Sequence, residues 1–213
     1  MQIKSINVGV PAPMVYADQE IATGIFKQSV GAKAVFLDLI NIAGDRQADL
    51  VNHGGKDKAV CLYPYDHYPY WEKRLGRKLP FASFGENLTA ADITEESVCI
   101  GDVYQLGDAI VQISQPRQPC YKLATRFQIP DMVDQIRMNG YSGFYMRVLK
   151  PGMISIEKGI NIMEKHPEGI TVAFTNHIMF HDRFNREALL QLIHLDVLAE
   201  SWKKTFRERL ESL

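Results

Sequence analysis

Apolar residues alternate or run in short blocks through the first three quarters of the chain, then switch to helical spacing. Ile6, Val8 and Val10 alternate, as on a half-buried strand. The run 35–40 (VFLDLI) and the block Ala59-Val60-Cys61-Leu62-Tyr63 read as buried strands. Ala109, Val111 and Ile113 share one face of a strand that ends at Pro116. Residues 144–149 and 153–157 read as two strands joined through the turn Lys150-Pro151-Gly152. Two helices interrupt this series. One covers 65–75, with Tyr68, Trp71, Glu72 and Leu75 at helical spacing and Gly76 as its stop. The other covers 131–139, with Met132, Val133 and Ile136 apolar and Gly140 at its end. Many short strands with few long helices predict a mainly β fold, a barrel or a folded-over sheet.

The texture changes at His166-Pro167-Glu168-Gly169. Three helices are expected after it: 169–178, then about 185–193 with Asn185 as cap, then 197–213. In the third, Leu198, Trp202, Phe206 and Leu210 fall on one stripe, with Lys203, Lys204, Arg207 and Glu208 largely outside it. The pattern divides the chain into a β domain, 1–163, and a three-helix appendage, 164–213. Internal packing, cover over a pocket and a homodimer contact are all open uses of the stripe.

Composition narrows the classes. With 24 Lys plus Arg against 25 Asp plus Glu, the net charge is −1 and gives no field to draw the chain onto nucleic acid or anionic membrane. The longest stretches without a charged residue, 5–17 and 169–181, are 13 residues each, against the roughly 20 a membrane span needs. The first ten residues show no basic segment followed by an apolar one, so no secretory signal is expected. Three widely spaced cysteines, Cys61, Cys99 and Cys120, do not suggest a disulfide framework; a reducing, cytoplasmic setting is expected. Three thiols also fall short of a four-thiolate iron–sulfur cluster.

Unusual polar combinations concentrate between residues 44 and 126. The first runs from Asp45 and Arg46 through Asp49 and His53-Gly54-Gly55-Lys56 to Lys58. Its adjacent glycines allow a backbone close to a ligand, with amides aimed at an anion, although a plain hairpin turn fits the same residues. The second is Phe84-Gly85-Glu86-Asn87, where Glu86 can move a proton and Asn87 can hydrogen-bond a ligand, or both can serve a tight turn. The third is Gln115-Pro116-Arg117-Gln118-Pro119-Cys120-Tyr121-Lys122, leading into a short helix at about 121–127. A thiol there, near a helix start and beside Arg117 and Lys122, has the setting that favours the thiolate a nucleophile or soft-metal ligand needs. A small buried hydrophobe is the competing reading, and it fits Cys61 and Cys99. No phosphate-binding loop, dinucleotide fingerprint, serine nucleophile elbow or His-Glu-x-x-His motif is present.

Taken in order, these segments resemble the MOSC family, the domain named after the C-terminal part of molybdenum cofactor sulfurase. The resemblance rests on 45–58 with its His-Gly-Gly, on 63–71, on Gly85-Glu86-Asn87, on Gly101-Asp102, and on Gln115-Pro116-Arg117 with Pro119-Cys120. It spans about 20–163, and the tail is similar to the three-helix domain of a bacterial stand-alone subgroup that includes reductases of 6-N-hydroxylaminopurine. The resemblance implies a distorted β-barrel and a pterin-based molybdenum cofactor, with Cys120 as metal ligand and catalytic centre. It implies a cofactor pocket built from Arg46, His53, Gly54, Gly55, Lys56, Asn87 and Arg117. Asp49, His53 and Glu86 are the expected proton donors. No flavin, iron–sulfur or pyridoxal phosphate site is expected, so a separate reductase would return electrons after an N-hydroxylated substrate, such as a base analogue, is reduced. The implied alternative is a persulfide carrier or a protein that binds and delivers the cofactor without turnover.

Overall fold

The structure is a computed structural model, which describes residues 1–48 and 54–213. The chain enters with β1 (Gln2–Val8), which pairs with β7 (Leu88–Ala91) on one side and β4 (Gln28–Ser29) on the other. β6 (Val60–Pro64) runs parallel to β7 and antiparallel to β10 (Phe144–Lys150). β10 continues the sheet through β9 (Ala109–Pro116), β8 (Val103–Leu106) and β12 (Ile160–Glu164). The resulting eight-stranded sheet has the order β12-β8-β9-β10-β6-β7-β1-β4. It curls as a half-barrel, in line with the barrel or folded-over sheet that the strand pattern predicts and the distorted barrel that the resemblance implies. Two separate ribbons, β2 (Ala12–Tyr16) with β3 (Gln19–Thr23) and β5 (Val35–Leu37) with β11 (Gly152–Ile154), complete the β structure among the described residues.

The helices fall close to where periodicity puts them. α1 (Tyr68–Leu75) follows a 3₁₀ turn and stops at left-handed Gly76. α2 (Tyr121–Phe127) and α3 (Met132–Asn139) connect β9 to β10. α4 (Val172–Phe180) is capped by Thr171, whose hydroxyl accepts the Phe174 amide at 3.0 Å. α5 (Arg186–His194) is capped by Asn185, whose carbonyl accepts the Ala188 amide at 3.1 Å. α6 (Glu200–Glu211) closes the chain.

Four local expectations change. The strand expected over 153–157 is shorter, β11 ending at Ile154, because 156–158 form a turn. The strand expected over 35–40 ends at Leu37, because the Asp38 carboxylate accepts the amides of Ile40 and Asn41 at 2.7 and 3.0 Å and turns the chain. Val10 is exposed, since β1 ends at Val8 before it. Lys203, expected on the solvent face of the last helix, is buried.

One apolar core joins the sheet to the C-terminal helices: Ile113, Met146 and Val111 belong to the same cluster as Leu189, Leu192, Trp202 and Phe206. A second cluster gathers Tyr63, Tyr68, Trp71 and Phe84 with Leu123, Phe127 and Met132 behind the β9–β10 connection. Tyr63 stacks on Phe84 at 4.0 Å, and the Trp71 indole donates to the Tyr63 hydroxyl at 2.7 Å. Ile25 belongs to this cluster and also lines the candidate site.

Candidate functional site

The β9 strand leaves the sheet at Pro116, and Pro119 keeps the exit extended until Cys120, the residue before α2. That route brings Cys120 to the wall of a cleft of about 590 Å³, its open mouth included, lined also by Thr23, Gly24, Ile25, Lys27, Arg46, Gln47, Ala48, Lys58, Cys61, Gly85, Asn87, Arg117, Lys122 and Tyr145. Three of the expected cofactor residues, Arg46, Asn87 and Arg117, therefore meet Cys120 in one place.

Arg117 is the buried cation of the cleft. Its backbone amide donates to the Gly143 carbonyl at 3.0 Å, and its Nη2 donates to the Phe84 carbonyl at 2.6 Å. Its Nη1 is buried and has no hydrogen-bond partner. Burial opposes the charge, but at the high pH where a guanidinium titrates the anionic forms of Cys61, Tyr145 and Cys120, with the Glu86 carboxylate, outweigh it and hold the guanidinium pKa above its ordinary value. A buried guanidinium nitrogen left unpaired is costly, so it points to an acceptor supplied by a ligand.

Lys122 sits nine-tenths buried on the first turn of α2 and faces the same cleft. Lys27 also faces it and is ion-paired with Asp45. With Arg46 and Lys58 the walls carry five cations among the described residues, and the acidic Asp45 is fully committed: it accepts from Lys27, from the Gly9 amide at 2.9 Å and from Asn87 Nδ2 at 2.8 Å. Among the described residues the lining carries cations and no carboxylate, which suits an anion.

Glu86 is corrected by its position. It is fully buried outside the cleft lining, and its carboxylate accepts four hydrogen bonds: from Tyr68 Oη at 2.6 Å, Thr89 Oγ1 at 2.7 Å, and the amides of Phe84 and Ala82 at 3.0 and 3.1 Å. Three of these bonds fall on Oε1 and one on Oε2, and they come from the 82–84 turn, α1 and β7, so the carboxylate ties the turn to its neighbours and sits away from the cleft. Asn87 lines the cleft, yet its side chain is spent on the scaffold, accepting the Cys61 amide at 3.1 Å and donating to Asp45. Gly54, Gly55 and Lys56 are not among the lining residues; the neighbouring Lys58 is. Gly55 precedes the 3₁₀ turn Lys56–Lys58, which brings up the later lysine. Asp49 and His53 lie outside the described residues.

Sequence reasoning missed Lys27, Tyr145 and the strip Thr23 to Ile25, which belong to no motif and reach the cleft only through folding. Cys61, read as an inert hydrophobe, is buried, and burial pushes its thiol pKa up against the pull of Arg117, but it also lines the cleft. Tyr145 stands beside it, with burial pushing its phenol pKa above the ordinary value. Glycine is required at Gly85, where φ is +77° and a Cβ would come within 2.7 Å of Ile25 Cγ1. Among the described residues no cluster of three or more His, Cys, Asp or Glu is placed to cage a metal ion. The donor set is a thiol beside an unpaired guanidinium and several cations, and this fits a phosphate-bearing cofactor whose metal takes one ligand from the protein.

A curled sheet that delivers a cysteine to a cation-walled cleft, backed by three C-terminal helices, defines the class. The chain belongs to the MOSC family: the MOSC domain model matches residues 49–161, and the YiiM-like three-α-helix domain model matches 170–213. The family is associated with molybdenum cofactor binding in general. Uncharacterized protein YflK of Bacillus subtilis is 47% identical over 211 residues, covering 99% of this chain and 95% of that protein. Protein YiiM of Escherichia coli is 33% identical over 178 residues, covering 82% and 79%. A protein named Reductase from Gibberella moniliformis is 37% identical over 150 residues, 68% of this chain but 26% of that protein. The crystal structure of YiiM from Geobacillus stearothermophilus superposes with a TM-score of 0.82 at 41% identity, covering 98% of both chains.

Proposed function

We propose that this protein is a molybdenum-cofactor-dependent reductase of N-hydroxylated compounds, with Cys120 as the protein ligand to the metal. The observation that carries the reading is Cys120 on the same cleft as the unpaired Arg117 Nη1. Family membership and the relative named Reductase support it. When bound, the cofactor supplies the two-electron redox chemistry that removes oxygen from an N–OH group.

The chain's own residues do the rest. Lys27, Arg46, Lys58 and Lys122 would hold a phosphate group of the cofactor, and Arg117 Nη1 would donate to an anionic oxygen. Conversion of N–OH to N–H with release of water consumes two protons and two electrons. A separate reductase supplies the electrons. Asp49 and His53 are the residues to which we assign the protons, since Glu86 is committed elsewhere. No described helix is long and apolar enough to cross a membrane, and the reading is of a cytoplasmic enzyme.

The test is molybdenum per chain by mass spectrometry, for wild type and Cys120→Ser purified anaerobically from a cofactor-competent host. Near-stoichiometric metal that is lost in the variant supports the reading. Sulfane sulfur on Cys120 with no metal would replace it with the persulfide-carrier function.

A further inference from the structure

Glu95 is a buried carboxylate between β7 and β8, only 3% exposed and outside the lining of the cofactor cleft. Both of its oxygens are engaged. Oε1 accepts the Gly143 amide at 2.6 Å, and Oε2 meets His67 Nε2 at 2.6 Å. His67 is itself buried, and its ring stacks at 3.8 Å on Tyr141, two residues before Gly143. The backbone of Glu95 is used as well: its carbonyl accepts the Ala173 amide at 2.9 Å, in the first turn of α4. The turn before α1, the entry to β10 and the C-terminal helices therefore meet on one residue.

From Gly143 the connection continues into the cleft. The Gly143 carbonyl accepts the Arg117 amide at 3.0 Å, one rung beyond the Phe144–Pro116 pair at the end of the β9–β10 ladder. That bond fixes the Arg117 backbone where the chain leaves β9. Farther out, the guanidinium is anchored by Nη2 on the Phe84 carbonyl at 2.6 Å, while Nη1 is buried and unpartnered. With these two points held, the aim of Nη1 follows the placement of the Gly143 peptide. Gly143 has φ +73° and no side chain to pack, so its neighbours decide where that peptide sits. A carboxylate oxygen on its amide is the strongest kind of acceptor for the purpose.

We propose that Glu95 is a positioning residue of the cofactor cleft: by holding the Gly143 peptide it sets where Arg117 presents Nη1 to an anionic oxygen, a role that rests on the reading of this cleft as an anion-binding cofactor site. Glu95 touches neither cofactor nor substrate and acts through Arg117. Through the Ala173 amide, α4 braces the same residue.

Isothermal titration calorimetry with inorganic pyrophosphate tests this on the whole chain, in a double-mutant cycle of Glu95→Met and Arg117→Met. Wild type should bind, and Arg117→Met should weaken binding about tenfold. Glu95→Met should weaken it about fivefold in the wild-type background and by less than about twofold once Arg117 is gone. Glu95→Gln keeps an oxygen for the Gly143 amide and should stay within about twofold of wild type. A role in stability alone would lower the thermal midpoint and leave the affinity unchanged, or weaken it equally in both backgrounds; either result overturns the proposal. So would Glu95→Gln binding as poorly as Glu95→Met. No binding to the wild type, or no effect of Arg117→Met, would overturn the anion-site reading and the role of Glu95 with it. Should Glu95→Met fail to fold, Glu95→Ala decides in the same two backgrounds.

Discussion

Two thiols of the same chemical type face one cleft under different constraints. Cys120 stands at the exit of β9 and is partly exposed, whereas Cys61 lies within β6, where burial raises its pKa. A raised thiol pKa means less thiolate at any pH below it. Iodoacetamide near neutral pH should therefore modify Cys120 first, and Cys120→Ser should react roughly tenfold more slowly, with a rate that climbs as pH rises. Peptide mass mapping of the labelled protein checks the order. Glu86 offers a second residue-scale test. Glu86→Gln replaces one of two accepting oxygens with a donor and should cost about 1–3 kcal/mol in urea unfolding, because four buried donors rely on that carboxylate. Its identity as a polar residue in a turn was legible in the sequence; its role was not. A Gly-Glu-Asn string specifies a tight turn, but only packing of Tyr68 and Thr89 against it shows where the lone pairs go.

At the scale of elements, the site is made by the exit of β9 and the loop that leads into β10. Gly143 is the joint. Its carbonyl accepts both the Arg117 amide and Ser142 Oγ, and its amide donates to Glu95 at 2.6 Å. Its φ is +73°, and a Cβ there would come within 2.5 Å of the Leu62 carbonyl. Gly143→Ala should lower stability by about 2–3 kcal/mol and reduce molybdenum retention with it, since Arg117 shifts when its backbone partner moves. Paired measurement of thermal unfolding and metal content checks this. The helix after Asn185 was legible because its cap is local: the Asn185 side chain accepts an amide three residues on, and Thr171 does the same for α4, which the sequence pattern starts at 169. Substituting either by Ala should cost about 1 kcal/mol, read from the unfolding midpoint. The strand over 35–40 was overextended for the converse reason. Apolar residues suggested a strand, and the Asp38 turn overrode them.

Across the whole molecule, the three C-terminal helices share their core with the sheet. Trp202 and Phe206 lie in the cluster that contains Ile113 and Met146, and the Ala199 amide donates to the Ser114 carbonyl at 3.0 Å. The apolar stripe of α6 is thus spent on internal packing. Trp202→Ala should cost about 3–5 kcal/mol. Scanning calorimetry of the wild type should show a single transition, with equal calorimetric and van't Hoff enthalpies; two separated transitions would mean that helices and sheet unfold independently.

The sequence by itself determined what depends on near neighbours. Alternation, helical spacing, caps and turns marked most strands and helices, and an ordered set of motifs pointed to Cys120 and Arg117. The tertiary structure decided what depends on distant parts of the chain. It joined Lys27, Arg46 and Lys58 to the Cys120 cleft, removed Glu86 from it, and left Arg117 Nη1, Asn139 Nδ2 and Asn176 Oδ1 buried without partners. Local pattern fixes which way a side chain faces on its own element. Which groups it meets there, and whether they satisfy it, is set by the close packing of elements far apart in sequence.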